Sequence, residues 1–164
     1  MHPMLNIAIR AARRAGVIIS RAQNRLYDLR VSQKGLRDYV TQIDVEAEEA
    51  IIETLSHAYP NHAILAEESG ESGISDYTWV IDPLDGTLNF IHGYPHYAIS
   101  IALRIKGRLD QAVIYDPLKD ELFTASRGEG AQNNGQKIRV STNQELESAL
   151  VATGFPVRNK TRLN

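Results

Sequence analysis

Two aspartates three residues apart, Asp82 and Asp85, close an apolar run that begins at Trp79, and a glycine and a threonine follow at Gly86 and Thr87. Carboxylate oxygens are the hard ligands that magnesium prefers, and a magnesium ion held by few carboxylates keeps positions open for water and a phosphate oxygen. That is the chemistry of phosphate-ester hydrolysis. Asp-Pro and Asp-Gly are also ordinary turn signals, so this run alone reads equally well as a chain reversal after a buried strand. A second acidic pair tips the reading toward chemistry. Glu67-Glu68 follows the apolar run Ala63-Ile64-Leu65-Ala66, so two strands are expected to end in acids at one shared site.

The elements that must position these groups follow from periodicity. Leu5, Ala8, Ile9, Ala12, Ala15 and Ile19 recur at helical spacing within residues 1–27, which hold five arginines and no acid. A transit peptide or a membrane-surface helix is the competing reading. The apolar side chains are small, however, and lack the Trp, Phe and Leu that drive interfacial binding, so a helix packed on a sheet is expected. A second helix is expected over about residues 45–58, with Ala47, Ala50, Ile51, Leu55 and Ala58 inward and Glu46, Glu48, Glu49 and Glu53 on a solvated face. Asp44 stands where that helix would be capped, and capping explains it without catalysis. Residues 86–90 are expected to open a short helix whose free N–H groups face a phosphate. Residues 96–105, 110–115 and 121–126 read as an antiparallel meander, Asn134-Gly135 as a tight hairpin, and residues 150–155 as a further strand.

Composition bounds the class without choosing a function: 164 residues, 43% hydrophobic and 23% charged, suit a domain with a real core. With no cysteine, disulfides and thiol catalysis are excluded, which is compatible with a reducing cytoplasm. No apolar run approaches a bilayer span, so no membrane role is expected. The five histidines offer no zinc site, since only His92 and His96 are close and Gly93 and Pro95 separate them. A serine-hydrolase elbow is absent, and Gly128-Glu129-Gly130 lacks the third glycine of a dinucleotide loop.

Glu67-Glu68-Ser69 and the run from Asp82 to Phe90 resemble the inositol monophosphatase family. Lys34 with Asp38, Val40, Thr41 and Asp44 is similar to that family's lysine-to-aspartate motif, residues 128–135 to its glycine-rich hairpin, and residues 1–14 to its bacterial extragenic suppressor members. The resemblance implies an α+β fold, the N-terminal part of a layered α-β-α-β-α sugar phosphatase with two helices on a largely antiparallel sheet. It implies a metal-binding domain over residues 1–145 and the start of a second α/β domain at 146–164.

It further implies Mg2+, with Mn2+ as a substitute, held by Glu67, Asp82, Asp85 and the Leu84 carbonyl. Glu67 and Thr87 would orient the attacking water, with Asp44 and Lys34 beside the cluster. Leu84, Asp85, Gly86 and Thr87 would meet the substrate, a myo-inositol monophosphate or similar small polyol phosphate. Water would attack phosphorus in line, without a phosphoenzyme. Lithium inhibition, a homodimer and a cytoplasmic location are implied as well.

Two departures stand out. Leu88 replaces a threonine usual after Thr87, and the family's later Trp-Asp-x-Ala-Ala-Gly motif, whose aspartate is a further metal ligand, does not occur. The sequence therefore reads as a truncated chain whose activity alone is open. Two alternatives remain. One is a binding protein for transcription antitermination, engaging the RNA polymerase elongation machinery through Arg10, Arg13 and Arg14. The other is a phosphatase for fructose bisphosphate or nucleotides.

Overall fold

The computed structural model describes residues 2–29 and 36–153, with side chains described up to position 26 and from position 42 onward. Helices α1 (Pro3–Leu29) and α2 (Leu36–Ala58) precede strands β1 (Ala63–Ala66), β2 (Gly70–Ser72) and β3 (Tyr77–Asp85). The short helix α3 (Thr87–His92) leads into β4 (Ala98–Ile105), β5 (Arg108–Asp116), β6 (Glu121–Ser126), β7 (Gly130–Asn133) and β8 (Gln136–Ile138). The strands form one sheet in the order β2-β1-β3-β4-β5-β6-β7-β8. Among the described residues only β1 and β3 run parallel; all other neighbouring strands are antiparallel. This is the α+β architecture expected from the sequence.

Alternation along the strands divides the sheet into two faces. Trp79, Ile81, Ile99, Ile101, Leu103 and Val113 point to the face that α1 and α2 cover, and all are buried. The row Leu5, Ala8, Ala12, Ala15, Ile19, Ala22 and Leu26 on α1 repeats every three or four residues and is buried with them. Its small residues let the helix approach closely: a Cβ on Gly16 would stand 2.6 Å from the Tyr115 ring. On α2 the buried row is Ile43, Ala47, Ile51 and Leu55. Truncating a fully buried member such as Ile51 to alanine would cost about 2–5 kcal/mol. The opposite face carries Ala98, Ile114 and Phe123 and is only partly covered, with Ile114 47% exposed.

Turn chemistry sets the hairpins. Asn134 and Gly135, at φ 49° and 80°, form the two-residue β7–β8 turn, matching the right-handed twist of the strands they join.

Three expectations need correction. Helix α2 begins at Leu36 rather than near residue 45, so Asp44 is not an N-cap; it lies mid-helix and is buried. The signal for the earlier start was in the sequence, where Leu36, Tyr39, Val40 and Ile43 recur at helical spacing, and it was passed over because Asp44 reads as a cap. Glu48 is not on the solvated face but 2% exposed, because it stands in register with Ile51 and Leu55 on the sheet-facing side. The strand expected at 150–155 is not seen: residues 150–153 belong to no strand and are exposed, and 154–155 lie outside the described residues. The polar edge strand β2 was not anticipated.

Candidate metal and phosphate site

Parallel pairing brings the two acidic strand ends together. Ala66 is in register with Ile81, and the Glu67 N–H continues the ladder by donating to the Ile81 carbonyl at 3.1 Å. Glu67 and Asp82 thus leave adjacent strands side by side.

Asp85 joins them through a bulge. Asp82 pairs with Ser100 and Asp85 with Ala98, so Pro83 and Leu84 together oppose the single residue Ile99. In a regular strand a spacing of three would send the two aspartates to opposite faces. The extra residue returns Asp85 to the face of Asp82, since Ser100 and Ala98 lie two apart on β4. Pro83 suits the bulge because it has no N–H to give the ladder. The Leu84 N–H donates to Asp82 Oδ1 at 3.2 Å, an Asx turn that fixes this carboxyl group.

Leu84 is buried and its carbonyl accepts the Thr87 hydroxyl at 3.0 Å. Gly86, in the N-cap position of α3, adopts φ 101°. A Cβ there would meet the His96 carbonyl oxygen at 3.0 Å and Tyr97 at 3.1 Å, so glycine is required for both conformation and space.

Asp44 reaches the cluster from α2. Burial first, then the charges of Glu68, Glu67 and Asp82, push its carboxyl pKa up to about 7. Asp82 is likewise raised to about 7, by burial first and then by the charge of Glu67, a hydrogen bond to Glu67 and the charge of Asp85. Glu68 is raised by burial, Glu67 and Glu48. Elevation of several carboxyl groups by neighbours of their own sign marks a site short of positive charge.

Of the residues expected at the site, Glu67, Asp82, Leu84, Asp85, Gly86 and Thr87 come together around the β3–α3 junction, with Asp44 beside them. Lys34 lies outside the described residues, as do the side chains of Asp38, Val40 and Thr41. The donors are oxygen only, so their chemistry fits a hard dication. Among the described residues, no three acidic or histidine side chains already stand in coordinating arrangement.

Glu48 was missed as part of this region. Its carboxylate accepts the Glu68 and Ser69 N–H groups, both at 2.8 Å. The signal was available: Asp44, Glu48, Ile51 and Leu55 form one row at helical spacing, so two acids line up with two core residues.

A cavity of about 320 Å3 opens beside Asp85 on the partly covered face, lined by Gly86, Asn89, His96, Asp116 and Lys119 among others. Asp116 and Lys119 pair at 3.0 Å within it.

Comparison with known proteins agrees with the α+β fold. A family model described as the inositol monophosphatase family matches residues 1–164. A Pseudomonas aeruginosa protein named Nus factor SuhB is 56% identical over 97% of this chain and 60% of its own length. The crystal structure of the extragenic suppressor protein SuhB from Bartonella henselae superposes with a TM-score of 0.79 at 41% identity, covering 89% of this chain and 57% of that one. An inositol monophosphatase from Anabaena gives 0.71 at 40% identity, covering 86% of this chain and 50% of that one. The chain spans about 60% of the length of the curated relatives it matches.

Proposed function

The chain belongs to the inositol monophosphatase family, and from that membership we propose that it carries the metal-binding portion of a magnesium-dependent phosphomonoester hydrolase acting on a small polyol phosphate. The observation that carries this reading is the convergence of Glu67, Asp82 and Asp85 at two parallel strand ends and a bulge. Glu67, Asp82, Asp85 and the Leu84 carbonyl would hold the ion, with Mn2+ a substitute for Mg2+. When bound, the dication supplies Lewis-acid polarisation of the phosphate and a lowered pKa for water.

The chain's own groups do the rest. The Thr87 hydroxyl proton is committed to the Leu84 carbonyl, so the lone pairs of Thr87 are what it offers a water. Glu67, on the adjacent strand end, would accept that water's second hydrogen and set its line of attack on phosphorus. Gly86 keeps the backbone open for the phosphate, and the cavity of about 320 Å3 beside Asp85 has the lower size of a small-molecule site. Asp44 would hold the charge balance behind Asp82, with Lys34 as a further contributor. In this reading residues 1–145 form the metal-binding unit and 146–164 begin a second one, and the active form is a lithium-sensitive dimer.

The test is phosphate release from myo-inositol 1-phosphate by the 164-residue chain, titrated with magnesium beside Asp82→Asn. Magnesium-dependent turnover lost in the variant supports the reading. Equal release from both rejects the chain as a self-sufficient phosphatase.

A second reading is favoured by the names of the relatives: a binding protein for the transcription elongation machinery. Arg10, Arg13 and Arg14 were its expected contact. Arg13 is already paired with Asp120 and stacked over Tyr115, and Arg14 is paired with Glu53, so a partner would have to displace those acids. Binding to RNA polymerase elongation complexes that is lost on neutralising these arginines, and kept in Asp82→Asn, would support it.

A further inference from the structure

We infer that Glu48 is a positioning residue that clamps the turn after Glu67 and so holds the Glu67 carboxylate against Asp82. Its consequence for metal binding rests on the phosphatase reading above, while its substance rests on hydrogen-bond geometry alone.

Glu48 is 2% exposed on the sheet-facing side of α2, and each of its carboxylate oxygens accepts one N–H of consecutive residues: Oε2 from Glu68 and Oε1 from Ser69, both at 2.8 Å. Bonds of this type are charge-assisted and fix direction as well as distance. On the other side, the Glu67 N–H is held by the Ile81 carbonyl at 3.1 Å. Glu67 therefore stands between two restraints, the β1–β3 ladder before it and α2 after it.

Burying a carboxylate is costly unless its oxygens are satisfied. Neighbouring buried positions of α2 are filled by Ala47 and Ile51, so packing by itself is met with apolar side chains. What an acid adds at position 48 is a fixed pair of acceptors for a turn that has no strand partner. Glutamine cannot reproduce this, because its amide NH2 would face one of the two N–H donors.

The experiment compares Glu48→Gln with Glu49→Gln, a charge-matched change at an exposed position of the same helix. Two readouts are taken on the 164-residue chain. By NMR without metal, the Glu68 and Ser69 amides should exchange at least about 10-fold faster in E48Q, with β3 and β4 amides unchanged. By electron paramagnetic resonance titration, the Mn2+ dissociation constant should rise about 10–100-fold in E48Q and stay at the wild-type value in E49Q.

A residue that only supported the fold would lower the melting temperature in EDTA and speed exchange throughout the core, leaving Mn2+ affinity of the folded chain alone. Glu48→Asp keeps the charge but falls short of the turn, and should move both readouts in the same direction should E48Q not fold. Unchanged Glu68 and Ser69 exchange in these variants overturns the clamp. A wild-type chain that binds no Mn2+, yet loses protection at those two amides in E48Q, supports the clamp and overturns the metal reading instead.

Discussion

Glu67 and Asp82 are lateral neighbours, each one residue beyond the Ala66–Ile81 pair of the parallel ladder, and after burial the charge of Glu67 is what raises the Asp82 carboxyl group most. Two acids in this relation cannot both ionise cheaply at such range. A cation between them would offset that repulsion. The site's electrostatics and its proposed chemistry are therefore the same fact, and they can be probed without any substrate.

Replacing Asp82 with asparagine removes one charge from the cluster while keeping an oxygen for the Leu84 N–H. The metal-free variant should be more stable than wild type at pH 8 by about 1–2 kcal/mol. It should also lose the rise in melting temperature that magnesium is expected to give the wild-type chain. Thermal unfolding with and without magnesium checks both. A variant less stable than wild type in EDTA would contradict the electrostatic account.

The same groups set a pH dependence. Asp44 and Asp82 move from 3.8 to about 7 on folding. A raised carboxyl pKa means that the folded chain keeps protons the unfolded chain has released, so their contribution is present at low pH and is lost as pH rises from about 4 to 7. Glu68, raised by burial first and then by Glu67 and Glu48, has the same sign. His62, lowered from 6.5 by burial, opposes them, since its contribution is complete above 6.5 and lost as pH falls. Three carboxyl groups outweigh one imidazole. Asp116 is lowered from 3.8, chiefly by bonds from Lys119 and Leu118 that overcome its burial, and acts only below this window. In EDTA the urea midpoint should therefore be lower at pH 8 than at about pH 5.5, and magnesium should narrow the gap.

How much of this was legible in the chain differs by element. The strands that end in Glu67 and Asp82 were legible because each apolar run stops at an acid, and the hairpin turn at Asn134-Gly135 because only a few residues accept its backbone. Their parallel register was not, since β1 pairs directly with β3, the strand after next in the chain, and no local pattern encodes that choice. The bulge at Pro83 read as a turn, because Asp-Pro signals both. Asp44 and Glu48 were misjudged for one reason. The start of α2 was placed eight or nine residues late, so one acid became a cap and the other a solvent-facing side chain. Placing the helix start correctly puts both on the row of Ile51 and Leu55.

Thr87 offers a kinetic test. If its lone pairs orient the attacking water, Thr87→Val, which keeps the shape and loses the hydroxyl, should lower kcat about 100-fold with little change in KM. Thr87→Ser, which keeps the hydroxyl bond to Leu84, should recover most of the rate. Equal rates in the two variants would leave the hydroxyl with a structural role only.

Gly86 joins the bulge to α3 at φ 101°, with the His96 carbonyl oxygen 3.0 Å from the place a Cβ would take. Gly135 has a similar φ of 80° but nothing within 4 Å of that place. Both alanine substitutions carry the left-handed backbone cost of about 1 kcal/mol, and only Gly86→Ala adds a clash against backbone that cannot yield. Gly86→Ala should therefore destabilise the chain by about 2–4 kcal/mol against about 1 kcal/mol for Gly135→Ala. Because the displaced segment carries Asp85 and Thr87, Gly86→Ala should also weaken Mn2+ binding, while Gly135→Ala should leave it unchanged. Urea unfolding and Mn2+ titration of the pair separate the two effects. Equal destabilisation by both alanines would mean that the contact with His96 and Tyr97 relaxes without cost, and that the approach of backbone to backbone at this junction does not set the geometry of the site.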